Sequence, residues 1–99
     1  MARIGPYPNR EVLTAQADIN ASADNKAVAQ GVVDEAMAKF GRIDFLVNNA
    51  QASASGVTLA DHTPEQFDLA IYSGLYAAFY YMQACYPHLK ETKGSVVNF

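Results

Sequence analysis

A helix end, a tight turn, a buried strand and an abrupt polar stop follow one another in residues 40–51, Phe-Gly-Arg-Ile-Asp-Phe-Leu-Val-Asn-Asn-Ala-Gln. Phe40 closes an amphipathic stripe, and Gly41 stands where a left-handed C-cap residue belongs. Ile43 to Val47 is apolar apart from Asp44, the pattern of a strand covered on both faces. Two asparagines then stop it. Strands of this kind belong to parallel α/β sheets, in which ligands bind beyond the carboxyl ends. The stretch therefore predicts an α/β fold and places the candidate site at Asn48–Gln51.

Ninety-nine residues suffice for one small domain with one core. An apolar fraction of 51% excludes a disordered chain. A net charge of -3, with Lys and Arg dispersed, gives no electrostatic case for nucleic acid or an anionic membrane surface. No apolar run approaches the roughly 20 residues of a membrane span, and the start, Met1-Ala2-Arg3-Ile4-Gly5-Pro6, lacks the apolar centre of a signal peptide. The single cysteine, Cys85, excludes an intrachain disulfide and fits a reducing compartment, so cytoplasm is the expectation.

Along the chain, residues 1–10 are rich in turn formers and read as a lead-in loop, with residues 11–99 as the folded part. Val12–Ala17 has the composition of a strand. Asp18-Ile19 ends it, and Asp18 suits a turn cap. Ser22 and Asp24 are candidate caps for the next helix. In that helix Val28, Ala29, Val32, Val33, Ala36, Met37 and Phe40 share one face. Gly31 inside it suggests close approach to a neighbour. Ala52–Gly56 is a flexible loop. Thr63-Pro64-Glu65-Gln66 combines a cap, a proline at the first helical position and a capping box, so a second helix starts there. Phe67, Ile71, Leu75, Phe79 and Met82 continue at helical spacing, and Tyr72, Tyr76 and Tyr80 form a second stripe beside them. Pro87 is expected to end or kink this helix. Lys90–Gly94 reads as a polar turn and Ser95–Phe99 as another strand. His62 and His88 lack partners at metal-ligand spacing, Ser53 and Ser55 lack a nucleophile motif, and Cys85 reads as a small buried residue.

Phe-Gly-Arg-Ile-Asp-x-Leu-Val-Asn-Asn-Ala resembles the mid-domain signature of the short-chain dehydrogenase/reductase family, whose motif is N-N-A-G; Gln51 stands at the glycine. Ser95–Phe99 is similar to the family's following strand, G-S-I-V-N. The resemblance covers about residues 11–99 and implies the central part of a Rossmann-type dinucleotide-binding domain: a partial three-layer sandwich with parallel strands and two main helices. It implies NAD or NADP as cofactor, with Asp18 and Ile19 bordering the adenine, the backbone of Asn49, Ala50 and Gln51 lining the adenosine ribose, and Phe99 approaching the nicotinamide side. It also implies a homo-oligomer through the helix Pro64–Tyr86, whose tyrosine stripe has the composition of an interface.

The family's glycine-rich phosphate turn, catalytic serine and Y-x-x-x-K pair have no counterpart here, so no catalytic residue is assigned. Tyr86 and Lys90 share that spacing by coincidence, inside the long helix. Gly74 falls where the family has a relay asparagine. A family member is well over twice as long, which makes the chain an excerpt, a natural truncation or one half of something. The expected function is that of a segment of an NAD(P)-dependent oxidoreductase acting on a hydroxyl or carbonyl group, inactive by itself. The alternative is a non-catalytic module that assembles through its tyrosine-striped helix. In the family sheet the strands at Val12–Ala17 and Ile43–Asn48 are separated by two others, so a polypeptide of only this length is expected either to pair them directly or to have the gap filled by another chain.

Overall fold

The computed structural model describes residues 11–17 and 25–99. In chain order the elements are α1 (Asn25–Phe40), β1 (Phe45–Asn48), a 3₁₀ turn (Leu59–Asp61), α2 (Pro64–Ala70), a widened π turn (Ile71–Tyr76), α3 (Ala77–Thr92) and β2 (Ser95–Asn98). The chain is α/β. Strands β1 and β2 pair in parallel, with Phe45 opposite Ser95 and Asn48 opposite Asn98. Both helices pack on one face of this sheet, so the described residues form two layers. On the other face Phe45, Val47 and Val97 stand exposed.

Helix α1 begins and ends where its sequence dictates. Gly41 has φ +75° and donates its N–H to the Met37 carbonyl at 2.9 Å, the left-handed stop that glycine adopts without a steric penalty. Ala29 and Val33 are buried from the predicted stripe, whereas Phe40, at its end, is largely exposed. Gly31 departs from expectation: among the described residues a Cβ there would meet nothing within 4 Å, so none of them needs the space. Its cost is then purely conformational, and Gly31→Ala is expected to raise stability by about 1 kcal/mol, read as a higher urea midpoint at unchanged slope.

The start of α2 is the capping box read from the sequence. Thr63 N–H donates to Gln66 Oε1 at 2.9 Å, and Gln66 N–H donates to Thr63 Oγ1 at 3.2 Å. Pro64 occupies the first helical position. Thr63→Ala removes one arm and is expected to lower stability by about 1 kcal/mol, measurable by thermal unfolding.

From Pro64 the backbone stays helical through the π turn to Thr92. The expected end at Pro87 does not occur, and Lys90–Thr92 is helix rather than turn. Pro87 lies on the exposed side, where water can satisfy the carbonyl deprived of its donor. Beyond it the last turn is anchored by tertiary contacts. Leu89 is buried, and Thr92 Oγ1 donates to the Ile43 carbonyl at 2.8 Å. Lys93 then takes the left-handed cap at φ 54°.

Small residues bring the two helices together. The core consists of Val33, Cys85 and Leu89, with Met37, Ile43, Leu46 and Ala84 packed around it. Ala77 and Ser73 are also buried, so the long helix turns its small side chains inward. Phe67, Leu75 and Phe79, the stripe marked by spacing, remain half or more exposed.

Val12–Ala17, expected as a strand, is not one, and it does not pair with β1. β-branched composition favours a strand only where a neighbouring ladder receives it, and β1 pairs with β2 alone among the described residues. Ala15 and Ala17 instead line the far side of a groove along β1.

Candidate functional site

The groove measures about 700 Å³. Val32, Val33 and Ala36 of α1 and Ala77, Ala78, Tyr81 and Cys85 of the long helix form its apolar walls, and β1 runs its length. At one end it opens onto the carboxyl ends of both strands, where Asn48, Asn49, Ala50, Gln51, Asn98 and Phe99 gather. An apolar trough with a few polar groups at its mouth is the general form of a small-molecule site.

Parallel register brings the two strand ends level. Asn48 Nδ2 donates to Asn98 Oδ1 at 2.7 Å, and the Phe99 N–H donates to the Asn48 carbonyl at 3.0 Å. Asn98 Nδ2 is 3.7 Å from Met82 Sδ, which ties this corner to the long helix. Of the residues singled out from the sequence, Asn49, Ala50, Gln51 and Phe99 thus share one mouth, with Phe99 83% exposed. Asp18 and Ile19 lie outside the described residues, as do the candidate caps Ser22 and Asp24.

Ser73, a residue to which no sequence signal pointed, fixes the loop after β1. It is 1% exposed. Its Oγ accepts the Ala52 N–H at 2.9 Å and has two acceptors for its single proton, the Leu69 carbonyl at 2.7 Å and the Ala52 carbonyl at 2.9 Å. The bond to Leu69 spans one helical turn backwards, a contact that bends helices, and here it lies where the backbone widens. Asn25, buried at the start of α1, donates through Nδ2 to the Tyr72 carbonyl at 3.1 Å. The π turn is therefore held from both sides, by α1 and by the loop. Widened turns of this kind are frequent at functional sites.

The titratable groups in the groove wall are quiet. Burial pushes the Cys85 thiol pKa up, and burial followed by the neighbouring Cys85 does the same to the Tyr81 phenol. Cys85 therefore stays a thiol at neutral pH. It is expected to react with a thiol reagent only as fast as the fold opens, and urea should release the full rate. Above the ordinary thiol range the unfolded chain gives up a proton that the folded chain keeps. Stability should accordingly fall as pH rises through that range. At the other end of β1, Arg42 donates to Asp44 through two bonds of 2.7 and 3.0 Å. This hydrogen-bonded partner lowers the Asp44 pKa, but the pair is solvent-exposed and contributes little to stability. Among the described residues, no three His, Cys, Asp or Glu side chains gather as metal ligands would, and no helix is long and apolar enough to cross a membrane.

Comparisons with known proteins agree with this geometry. A family model described as enoyl-(acyl carrier protein) reductase matches residues 8–99. The chain is similar to a 12alpha-hydroxysteroid dehydrogenase of Clostridium sp., 55% identical over 89 residues that make up 90% of this chain and 34% of the relative. It is also similar to the BbsD subunit of a (2S)-[(R)-hydroxy(phenyl)methyl]succinyl-CoA dehydrogenase of Thauera aromatica, 40% identical over 88% of this chain and 34% of the relative. A solved structure of ElxO with NADP bound superposes with a TM-score of 0.73 at 26% identity, covering 85% of this chain and 33% of that one. The chain thus spans about a third of the length of the curated relatives it matches. Parallel strands ending in asparagines, a family match over residues 8–99 and the superposition on a solved relative lead to one conclusion: the chain belongs to the short-chain dehydrogenase/reductase family, with a Rossmann-type fold.

Proposed function

We propose that this chain is the central segment of an NAD(P)-dependent oxidoreductase acting on a hydroxyl or carbonyl group, and that the groove mouth is its part of the cofactor site. The observation that carries the reading is the meeting of Asn49, Ala50, Gln51 and Phe99 at the carboxyl edge of a parallel sheet, above an apolar trough. The residues suit such a cofactor: apolar walls take a ring face, while the Asn49 and Gln51 carboxamides both donate and accept toward polar edges. In this reading the backbone of Asn49–Gln51 lines the adenosine ribose, Asp18 and Ile19 border the adenine, and Phe99 lies toward the nicotinamide. The cofactor, NAD or NADP, supplies the hydride chemistry; the residues of this chain bind and orient it. The NADP in the ElxO structure and the dehydrogenase names of the relatives support the choice.

The phosphate turn, serine and Tyr-x-x-x-Lys pair that the family uses have no counterpart in this sequence. Tyr86, the one tyrosine four residues before a lysine, is exposed on the outer surface of α3, away from the groove. The isolated chain is therefore expected to bind nucleotide weakly and to leave NADH and NADPH unoxidised in the presence of ketone substrates. Oxidation by the pure chain, followed by absorbance, would contradict the assignment of no catalytic residue.

A second reading rests on the outer face of the long helix. Tyr72, Tyr76 and Tyr80 stack in a ladder with ring centroids 5.4 and 6.2 Å apart, next to the exposed Phe67, Leu75 and Phe79. That apolar face fits a second copy of the chain joined through Pro64–Tyr86. If assembly is the whole function, sedimentation will show a tight dimer and calorimetry no nucleotide binding. If the cofactor reading holds, nucleotide binds whether or not the chain is dimeric. The single buried cysteine is consistent with a reducing compartment such as the cytoplasm.

A further inference from the structure

The two positions at which this chain departs from the pattern it resembles touch each other. The Gln51 side chain lies over Gly74, in the middle of the π turn. A Cβ built on Gly74 would stand 3.5 Å from Cγ, Cδ and Nε2 of Gln51, so the carboxamide rests on bare helix backbone at ordinary contact distance. Next to this contact, Ser73 Oγ accepts the Ala52 N–H and lies within hydrogen-bond reach of the Ala52 carbonyl, which fixes the backbone carrying Gln51. Both residues of the pair line the groove.

We propose that Gln51 and Gly74 act as one unit, in which the loop residue lays its carboxamide over the π turn and so sets the polar group that the groove mouth offers to a ligand. Gln51 is a positioning residue at this mouth. Glycine at 74 leaves the surface free, the Ser73 clamp brings the loop down on it, and the side chain loses rotamer freedom before any ligand arrives rather than on binding. The contact distance gives a graded expectation. An alanine methyl at 74 packs against the Gln51 side chain without moving it. An asparagine at 74 claims the same volume and turns it out. With glycine at 51, that asparagine meets no competitor and presents a carboxamide at the same place from the helix side.

The choice of a nicotinamide dinucleotide as ligand rests on the function proposed above, so the test has one arm with it and one without. In the first arm, NADPH affinity is measured by calorimetry for the 99-residue chain and its variants. Gln51→Gly and Gly74→Asn are each expected to weaken binding about five-fold. Gly74→Ala should leave it unchanged. Combining Gln51→Gly with Gly74→Asn should restore it to within about two-fold of the original, a non-additivity in the range of residues in contact. Losses that multiply in the double variant would overturn the proposal. In the second arm, without nucleotide, NMR is expected to show contacts between the Gln51 side-chain protons and the α protons of residue 74, kept in Gly74→Ala and lost in Gly74→Asn. If the unmodified chain binds no NADPH, the cofactor reading fails and this arm decides alone: contacts that follow the stated order sustain the pair, and their absence from the unmodified chain overturns it.

Discussion

Gly94→Ala is expected to destabilise the fold by about 3 kcal/mol, the upper part of the range for overpacking at a site that cannot relax. Gly94 joins the end of α3 to β2. A Cβ there would overlap the Asp44 carbonyl oxygen and stand 2.8 Å from Leu89 Cδ2. Leu89 belongs to the core, and the same Asp44 carbonyl accepts the Ser95 N–H at 3.1 Å, at the start of the β1–β2 pairing. Neither neighbour can retreat without breaking packing or sheet. Urea unfolding measures the loss directly. A change below about 0.5 kcal/mol, the size of ordinary surface substitutions, would mean that the strand–helix junction is looser than described.

Ser73→Ala should have the next largest effect, about 2 kcal/mol, because it leaves the Ala52 N–H and two carbonyls without the hydroxyl they share. Its local consequence separates it from a general loss of packing. Amide exchange should accelerate more at Ala52 and in the loop before it than in α1, whose protection falls only by the loss of global stability. Uniform acceleration across the chain would contradict the role of Ser73 as the clamp between loop and helix. Ser73→Thr keeps the hydroxyl and should recover part of the protection.

Much of the fold was legible in local chemistry. Gly41, the Thr63–Gln66 box and the apolar run before Asn48 are each determined by residues close in sequence, and each forms where expected, although the strand is covered on one face rather than both. The errors arose where distant contacts decide. Of the two outcomes expected at Pro87, an end or a kink, the end does not occur, because Leu89 and Thr92 are anchored on the far side of it. Val12–Ala17 has strand composition without a neighbouring ladder. On the long helix, spacing marked a stripe of large apolar residues without saying which face packs: Ser73, Ala77 and Cys85 face inward, whereas Phe67, Leu75 and Phe79 face out.

For the site, the family resemblance singled out Asn49, Ala50, Gln51 and Phe99, and these four line one groove mouth. The clamp from Ser73 and the contact between Gln51 and Gly74 were not legible. A widened helical turn has no sequence signature comparable to a capping box, and both contacts join residues more than twenty positions apart.

The central claim is that the carboxyl edge of this two-stranded sheet is part of a dinucleotide site. A titration of the isotopically labelled chain with NADPH, followed by amide NMR, tests it most directly. The account predicts shifts confined to Asn48–Ala52, Asn98 and Phe99, together with Asp18 and Ile19. No shift at millimolar nucleotide, or shifts centred on the tyrosine face of the long helix, would contradict it.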